Sequence, residues 1–189
     1  MVGNKKGGLG LLTNTWDWIR ILGFLSYYFF TMSAVFGIVR KSVWLTKHKN
    51  LVFQLHTIAG WLGLLTLIGH MLILLVDQYM TFTIFEILIP FVTDYHTFGT
   101  SLGIVAFYFF AITLYTSDVL IMKMKFPVWK KIHFIVFPAW LFSLAHGLLV
   151  GTDSSNPFVL SLYISSLLVI IVLALLRNKT FQKKTSVVS

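Results

Sequence analysis

Five long apolar segments constrain this chain more than any other feature of its sequence. They cover about residues 18–39, 51–76, 98–122, 132–150 and 157–176. A helix of roughly 20 apolar residues crosses a bilayer and pairs its own backbone polar groups, as lipid requires. The segments are too long and too uniformly apolar to be strands of a membrane barrel. The sequence therefore predicts an all-α membrane protein, built as a bundle of about five transmembrane helices.

Composition narrows the chemistry that such a bundle can carry. Charged residues make up only 11% of the 189 residues, against about 25% in a typical soluble domain. The chain has no cysteine, which excludes disulfides, iron–sulfur clusters and c-type haem attachment. A metal centre would have to use histidine, methionine or carboxylate ligands. We expect no cleaved signal peptide, because no small-residue cleavage site follows a short apolar segment.

The basic residues are concentrated on one side of the predicted membrane. They follow segments one, three and five: Arg40, Lys41, Lys47, Lys49, Lys123, Lys125, Lys130, Lys131, Arg177, Lys179, Lys183 and Lys184. The positive-inside rule puts this side in the cytoplasm. It predicts a multi-pass cell-membrane protein with an extracytoplasmic N-terminal segment (1–17), a transmembrane domain (18–176) and a cytoplasmic tail (177–189). The net charge of +9 is then a topology signal, and nucleic acid is not an expected partner.

One further stretch, residues 79–96, is apolar in patches. Glu86, Pro90 and Asp94 interrupt it, so it does not fit a sixth span. We expect an interfacial segment on the outer side that contains a short amphipathic helix.

Four of the six histidines fall inside the predicted helices. His56 and His70 lie in segment two, and His133 and His146 lie in segment four. Ionisable residues within membrane spans are uncommon and are functional candidates by default. Segments two and four run in the same direction. His56 and His133 are therefore expected at one depth near the cytoplasmic side, and His70 and His146 at another near the outer side. Two facing pairs of imidazoles suit the axial ligation of two haem irons within a helical bundle.

The spacing of these histidines can be compared with an ideal helix. Fourteen residues separate His56 from His70, which is roughly 21 Å along the axis and within about 40° of the starting direction. Thirteen residues separate His133 from His146, and an ideal helix would turn them about 140° apart. Pro138 lies between them and can kink or locally rewind the helix.

Glycines near the ligand positions admit two interpretations. The residues concerned are Gly60, Gly63, Gly69 and Gly147. A glycine lets a flat macrocycle approach the backbone, and it equally lets two membrane helices pack closely.

The residues of segment four resemble a known signature. Trp129-Lys-Lys-Ile-His133, followed by Pro138 and by Leu144-Ala-His146-Gly147, resembles the ferric reductase-like transmembrane domain. That family includes NADPH oxidases, ferric reductases and the membrane haem subunit of bacterial methionine sulfoxide reductases. The histidine steps in segments two and four are similar to those of the oxidases, and the resemblance covers about residues 20–176.

The resemblance implies a cofactor and an activity. It implies that His56 and His133 hold an inner haem b, and that His70 and His146 hold an outer one. The chain would then be the haem-carrying membrane component of an oxidoreductase, passing electrons to an extracytoplasmic acceptor such as ferric iron. The family's oxidases carry six helices and a flavin and nicotinamide domain, whereas five segments and no glycine-rich dinucleotide loop are found here. Electrons would come from a separate flavoprotein, a membrane quinol or a partner's flavin.

Several charged residues are candidates for supporting roles. Arg20 is expected at the outer end of segment one, where it either binds a haem propionate or substrate or is an interfacial arginine paired with Asp17. Propionates at the inner end could meet Lys47, Lys49, Lys130 and Lys131.

Two remaining histidines and one aspartate fall near the predicted span ends. His48 is expected to be solvated among lysines. His96, near Asp94, could bind outer iron or carry protons. Asp118 could form a salt bridge with Lys123 or Lys125, or could carry protons.

Two other functions fit the same residues. The chain could be a haem-bearing anchor that serves a separate extracytoplasmic oxidoreductase. It could instead be a small transporter without haem, whose histidines bind metal or relay protons.

Overall fold

The structure is a computed structural model that describes residues 14–40, 47–78 and 80–185, with side chains as far as 177. Apart from short turns, these residues are helical, and no strand occurs among them. The helices are α1 (Thr15–Val39), α2 (Lys49–Leu74), α3 (Ile84–Leu88), α4 (Thr97–Asp118), α5 (Phe126–His133), α6 (Val136–Val150) and α7 (Pro157–Thr185). A single 3-10 turn, Ile121–Lys123, connects α4 to α5.

Five helical stretches are long and apolar enough to cross a membrane. They are Thr15–Val39, Lys49–Leu74, Thr97–Asp118, Phe126–Val150 and Pro157–Arg177. Each one overlaps a predicted segment, so for the described residues the prediction of an all-helical chain with five helices able to span a membrane is confirmed. Helix α7 continues through Thr185, beyond the predicted end of the fifth segment at 176.

Helix α1 begins at Thr15, slightly before the predicted start at 18. The reason is local, because the side chain of Asn14 accepts a hydrogen bond of 3.1 Å from the backbone N–H of Trp16. An asparagine at this position satisfies one of the N–H groups that the first turn leaves unpaired. The chain before Asn14 lies outside the described ranges.

The fourth span is two helices rather than one. Helix α5 ends at His133 and α6 begins at Val136, with Phe134 and Ile135 in a turn. Pro138 has no N–H to donate to the carbonyl of Phe134, and its ring would collide with that carbonyl in a continuous helix. The Phe134 carbonyl instead accepts from the N–H of Phe137 at 3.2 Å. The predicted rewinding by Pro138 is therefore present, and it takes effect one turn before the proline.

The segment between α2 and α4 contains the short helix that was predicted there. Thr83 and Glu86 form a reciprocal capping box at the start of α3. The pKa of Glu86 is lowered, chiefly because the backbone N–H of Thr83 donates to its carboxylate. Tyr79 lies outside the described residues.

The spans pack as two close pairs. Helix α1 lies along α2, α4 lies along α6, and α7 packs against α1. Between the pairs, Phe30 of α1 stacks on Phe110 of α4 with ring centroids 3.6 Å apart and planes 3° from parallel. Phe110 is fully buried. This stack forms the centre of the core cluster, which also includes Ala34, Leu64, Ala106, Trp140, Leu144 and Tyr163.

The two ends of the bundle differ in charge. We call the end that carries Arg40, Lys47, Lys49, Lys123, Lys125, Lys130, Lys131 and Arg177 the basic end. The opposite end, which we call the acidic end, carries Asp17, Asp77, Glu86, Asp94 and Asp153. Which end faces the cytoplasm stays a prediction from the positive-inside rule.

Cysteine labelling tests that orientation, since the chain contains no cysteine of its own. Met122 at the basic end is 93% exposed, and Ser155 at the acidic end is also exposed. We expect a membrane-impermeant maleimide to label Ser155→Cys in intact cells and Met122→Cys only after permeabilisation. Ala139→Cys, at a fully buried position, is the unlabelled control. The reverse pattern would show that the basic end faces outward.

Candidate functional site

The structure brings the four predicted histidines together as two pairs. The ring centroids of His56 and His133 are 6.0 Å apart, with planes at 66°. Those of His70 and His146 are 6.5 Å apart, with planes at 83°. The first pair lies toward the basic end and the second toward the acidic end. The break before α6 is what allows His133 and His146 to face α2 together, although their spacing would separate them in an ideal helix.

Every one of the four rings is anchored through Nδ1 to a neighbouring helix. His56 Nδ1 lies 2.8 Å from the carbonyl oxygen of Ser33, and His70 Nδ1 lies 2.8 Å from that of Ile19. His146 Nδ1 lies 2.9 Å from the carbonyl oxygen of Gly99. A carbonyl only accepts, so Nδ1 of these three rings carries a proton, and in the neutral imidazole Nε2 is then an unprotonated acceptor. Such an outward N–H donation is the usual arrangement of a metal-ligating histidine.

Three glycines make room for these rings. They are Gly37, Gly23 and Gly103, each four positions after the carbonyl that accepts from the histidine. A Cβ would lie 3.2 Å from His56 at Gly37, 3.3 Å from His70 at Gly23 and 2.7 Å from His146 at Gly103. In a helix, residue i+4 lies directly over carbonyl i. A glycine there lets the imidazole reach an oxygen that a side chain would cover.

The ring of His133 contacts a side-chain hydroxyl where the other three rings contact a helix carbonyl. His133 Nδ1 lies 3.0 Å from the hydroxyl oxygen of Ser117 on α4. The indole Nε1–H of Trp129 donates to the same oxygen at 3.2 Å. Trp129 also stacks on His133, with ring centroids 5.0 Å apart and planes at 25°.

Sequence reasoning missed these supporting residues, although a signal for them was available. The step from Gly23 to Gly37 on α1 equals the step from His56 to His70 on α2. The step from Gly103 to Ser117 on α4 is the same again. In sequence, Phe30 lies halfway between the two α1 glycines, and Phe110 lies halfway between Gly103 and Ser117. The central aromatic stack therefore lies midway between the two levels of histidines. A search for the same step outside the histidine helices would have found them.

The glycines singled out from the sequence have other neighbours. A Cβ at Gly63 would lie 2.9 Å from the ring of Phe30, at Gly69 3.3 Å from Leu22, and at Gly60 3.5 Å from Ser33. Helix packing is therefore their role in this structure. Gly147 meets the hydroxyl of Tyr163 and also lines the cavity described next.

A cavity opens at the acidic end beside the second histidine pair. It includes about 1310 Å³ of space outside protein atoms, counting its open mouth. Both His70 and His146 line it, as does Arg20. Most of the remaining wall is apolar or aromatic, with Trp16, Phe24, Tyr27, Leu67, Ile104 and Tyr163 among the lining residues. The cavity combines apolar walls with few polar groups, as cofactor pockets do.

Arg20 pairs chiefly with Asp153 and not with Asp17. Its Nε and Nη2 lie 2.6 and 2.5 Å from the two carboxylate oxygens of Asp153, which follows α6. Asp17 is 3.5 Å from Nη1. The predicted pairing with Asp17 is thus the weaker of two contacts. A two-pronged carboxylate contact uses the planar geometry of the guanidinium and ties α1 to the connection between α6 and α7.

The histidine pairs have the dimensions that a shared iron requires. Imidazole nitrogens ligate metals at about 2 Å, and the ring centre lies about 1.2 Å behind the nitrogen, so two axial ligands have centroids about 6.4 Å apart. The observed 6.0 and 6.5 Å agree with this separation. In the separation of the rings and in the Nδ1 contact behind each of them, these residues fit a bis-histidine haem.

The remaining candidates from the sequence are not part of these pairs. His96 is the N-cap of α4 in a left-handed conformation, with φ of 43°, and its ring packs edge-on against Tyr95. Within the described ranges, no group of three or more His, Asp or Glu side chains could hold a metal ion. The expected salt bridge from Asp118 to Lys123 or Lys125 is not formed among the described side chains.

The fold defines an all-helical, multi-pass membrane protein with paired histidines in its core. No family model, curated protein or solved structure matches the chain.

The glycine cradle at His146 predicts a local steric effect. Gly103→Ala would place a Cβ 2.7 Å from the His146 ring, and overpacking of this kind destabilises by about 1–3 kcal/mol. We expect a lower thermal unfolding midpoint for the detergent-solubilised protein. Gly60→Ala is the matched control, because its Cβ would meet nothing closer than 3.5 Å. Equal midpoints for the two variants would contradict the cradle.

Proposed function

We propose that this chain transfers electrons across a membrane by means of two haem b groups, each held between a histidine of α2 and a histidine of the fourth span. The observation that carries the proposal is the pairing of four imidazoles with ring centroids 6.0 and 6.5 Å apart, with the Nδ1 of three rings anchored to helix carbonyls and that of His133 to the Ser117 hydroxyl. In this proposal the chain is a ferric reductase-like membrane component.

The geometry suits a metal that brings most of its own ligands. Each pair supplies only two nitrogens, and a porphyrin supplies the other four. Haem b, when bound, provides reversible one-electron chemistry at iron, and two histidine ligands leave no open position for oxygen. The protein's task is then to position the imidazoles, to fix their tautomers and to exclude water.

The backbone of the neighbouring helices performs the positioning. An imidazole that donates Nδ1–H to a carbonyl cannot rotate freely, and in its neutral form Nε2 is left unprotonated. Ser33 adds a second tie, because its Oγ lies 3.1 Å from His56 Nδ1 and donates to the His56 carbonyl at 2.9 Å. The two sites are therefore preorganised by α1 and α4, which contribute no ligand themselves.

The two sites are separated along the membrane normal. The helix between His56 and His70 gives about 21 Å between the pairs, which covers much of the roughly 30 Å thickness of a hydrocarbon core. The Phe30–Phe110 stack lies between the levels and closes the bundle centre to water. This placement supports a path from one membrane face to the other and not a single buried site.

The ends of the bundle suit different partners. We propose that the basic end faces the cytoplasm and receives electrons from a separate flavoprotein, a quinol or a partner's flavin. The acceptor at the acidic end would be an extracytoplasmic molecule, either ferric iron or an oxidoreductase that the chain anchors. Arg20, at the mouth of the cavity, keeps donors beyond those engaged by Asp153, so it remains a candidate to hold a propionate.

Haem content tests this proposal directly. We expect the purified chain to show a b-type reduced-minus-oxidised spectrum with two haems per chain. His70→Ala and His133→Ala should each reduce the count to one, because each removes a ligand from a different pair. His48→Ala is the control, since His48 is exposed and belongs to neither pair.

The outcomes separate the alternatives. A folded but colourless protein would exclude haem and favour a transporter whose histidines bind metal or relay protons. Two haems retained in both His70→Ala and His133→Ala would show that the ligand assignment is wrong.

A further inference from the structure

The two histidine pairs differ in the hydrogen bonds behind them. At the acidic end both rings donate Nδ1–H to helix carbonyls, those of Ile19 and Gly99. At the basic end His56 donates to the Ser33 carbonyl, with the Ser33 hydroxyl 3.1 Å from the same nitrogen, whereas His133 faces only the hydroxyl of Ser117 among the described contacts. This difference is built into α4, where Ser117 occupies the position that corresponds to Gly103 at the other level.

Trp129 makes the Ser117 hydroxyl a weaker hydrogen-bond acceptor for His133. An indole N–H can only donate, so its contact of 3.2 Å uses one lone pair of the Ser117 oxygen. If His133 were to hold an iron through Nε2, its proton would be on Nδ1 and would be donated to the same oxygen, 3.0 Å away. A hydroxyl that accepts from two N–H groups is a poorer acceptor than a helix carbonyl. The stacked indole ring also fixes the plane of the imidazole.

The acceptor behind a ligating histidine controls the electron density that the ring gives to iron. A strong acceptor makes the ring more basic and favours the oxidised metal, and a weak acceptor favours the reduced metal. Resting on the proposed function, we propose that Ser117 and Trp129 are positioning residues that give the iron at His56 and His133 a higher reduction potential than the iron at His70 and His146.

Nearby positive charge would also raise the reduction potential of the iron at His56 and His133. Its effect must therefore be distinguished from the effect of the hydrogen bonds. Lys130 and Lys131 lie close to His133 in sequence, and cations near a haem favour its reduced form through simple electrostatics. Substitutions at Ser117 and Trp129 leave these lysines in place and alter the hydrogen bonding behind His133; Trp129→Phe also keeps an aromatic ring at the stacking position. They are therefore the informative variants.

Spectroelectrochemistry of the purified haem-loaded protein tests the assignment of the two potentials. In wild type we expect two one-electron components. The higher component should survive in His70→Ala and should disappear in His133→Ala. The opposite assignment would overturn this inference and leave the proposed function standing, whereas a haem-free protein would overturn the proposed function itself.

Two variants then test the cause, measured in the His70→Ala background. Trp129→Phe keeps a stacking ring but frees a lone pair of Ser117, so the potential should fall. We expect the reduced-to-oxidised ratio at fixed ambient potential to drop about threefold, equivalent to about 30 mV for one electron. Ser117→Ala removes the acceptor altogether, so the potential should rise.

The control is Trp61→Phe, because Trp61 lines an apolar groove with Tyr115 that no histidine lines. It should leave the potential unchanged. A general loosening of the site would move Trp129→Phe and Ser117→Ala in the same direction. That result, or no shift in either variant, would exclude the hydrogen-bond mechanism.

Discussion

The hydrogen bond from a core imidazole to the backbone of a neighbouring helix is the interaction on which the rest of this structure depends. An unpaired N–H within a bilayer is costly, since no water is available to satisfy it. Three of the four rings solve this by sharing a carbonyl that already serves the helix of α1 or α4. The donation also determines which ring nitrogen carries the proton and which one remains an acceptor. One contact thus satisfies a polar group, joins two helices and fixes the orientation of the ring.

This requirement accounts for the architecture of two close helix pairs. Helix α1 must lie against α2 closely enough for His56 and His70 to reach its carbonyls, and α4 must approach α6 in the same way for His146. Glycines at 23, 37 and 103 allow that approach. The helices that hold the histidines are therefore backed by helices that position them. The Phe30–Phe110 stack fills the space between the two levels.

Some of the site was predictable because it follows from periodicity and hydropathy. The five spans, the short helix near 84–88 and the matching depth of the histidines all come from runs of apolar residues and their direction. Other features were not predictable in this way. The break in the fourth span lies at Phe134 and Ile135, one turn before the proline, because the ring of Pro138 acts on the carbonyl four positions earlier. Arg20 pairs mainly with Asp153, 133 residues further along the chain, and no local sequence pattern indicates that contact.

The sequence by itself determined that this chain is an all-helical membrane protein and that two co-directional spans carry four histidines at two depths. These conclusions need only the length of an apolar run and the rise of a helix. The tertiary structure alone decided which atoms surround each ring: the carbonyls of Ile19, Ser33 and Gly99, and the Ser117 hydroxyl shared with Trp129. Hydrogen bonds between helices depend on rotation and offset of one helix against another, and a one-dimensional pattern does not encode those two quantities.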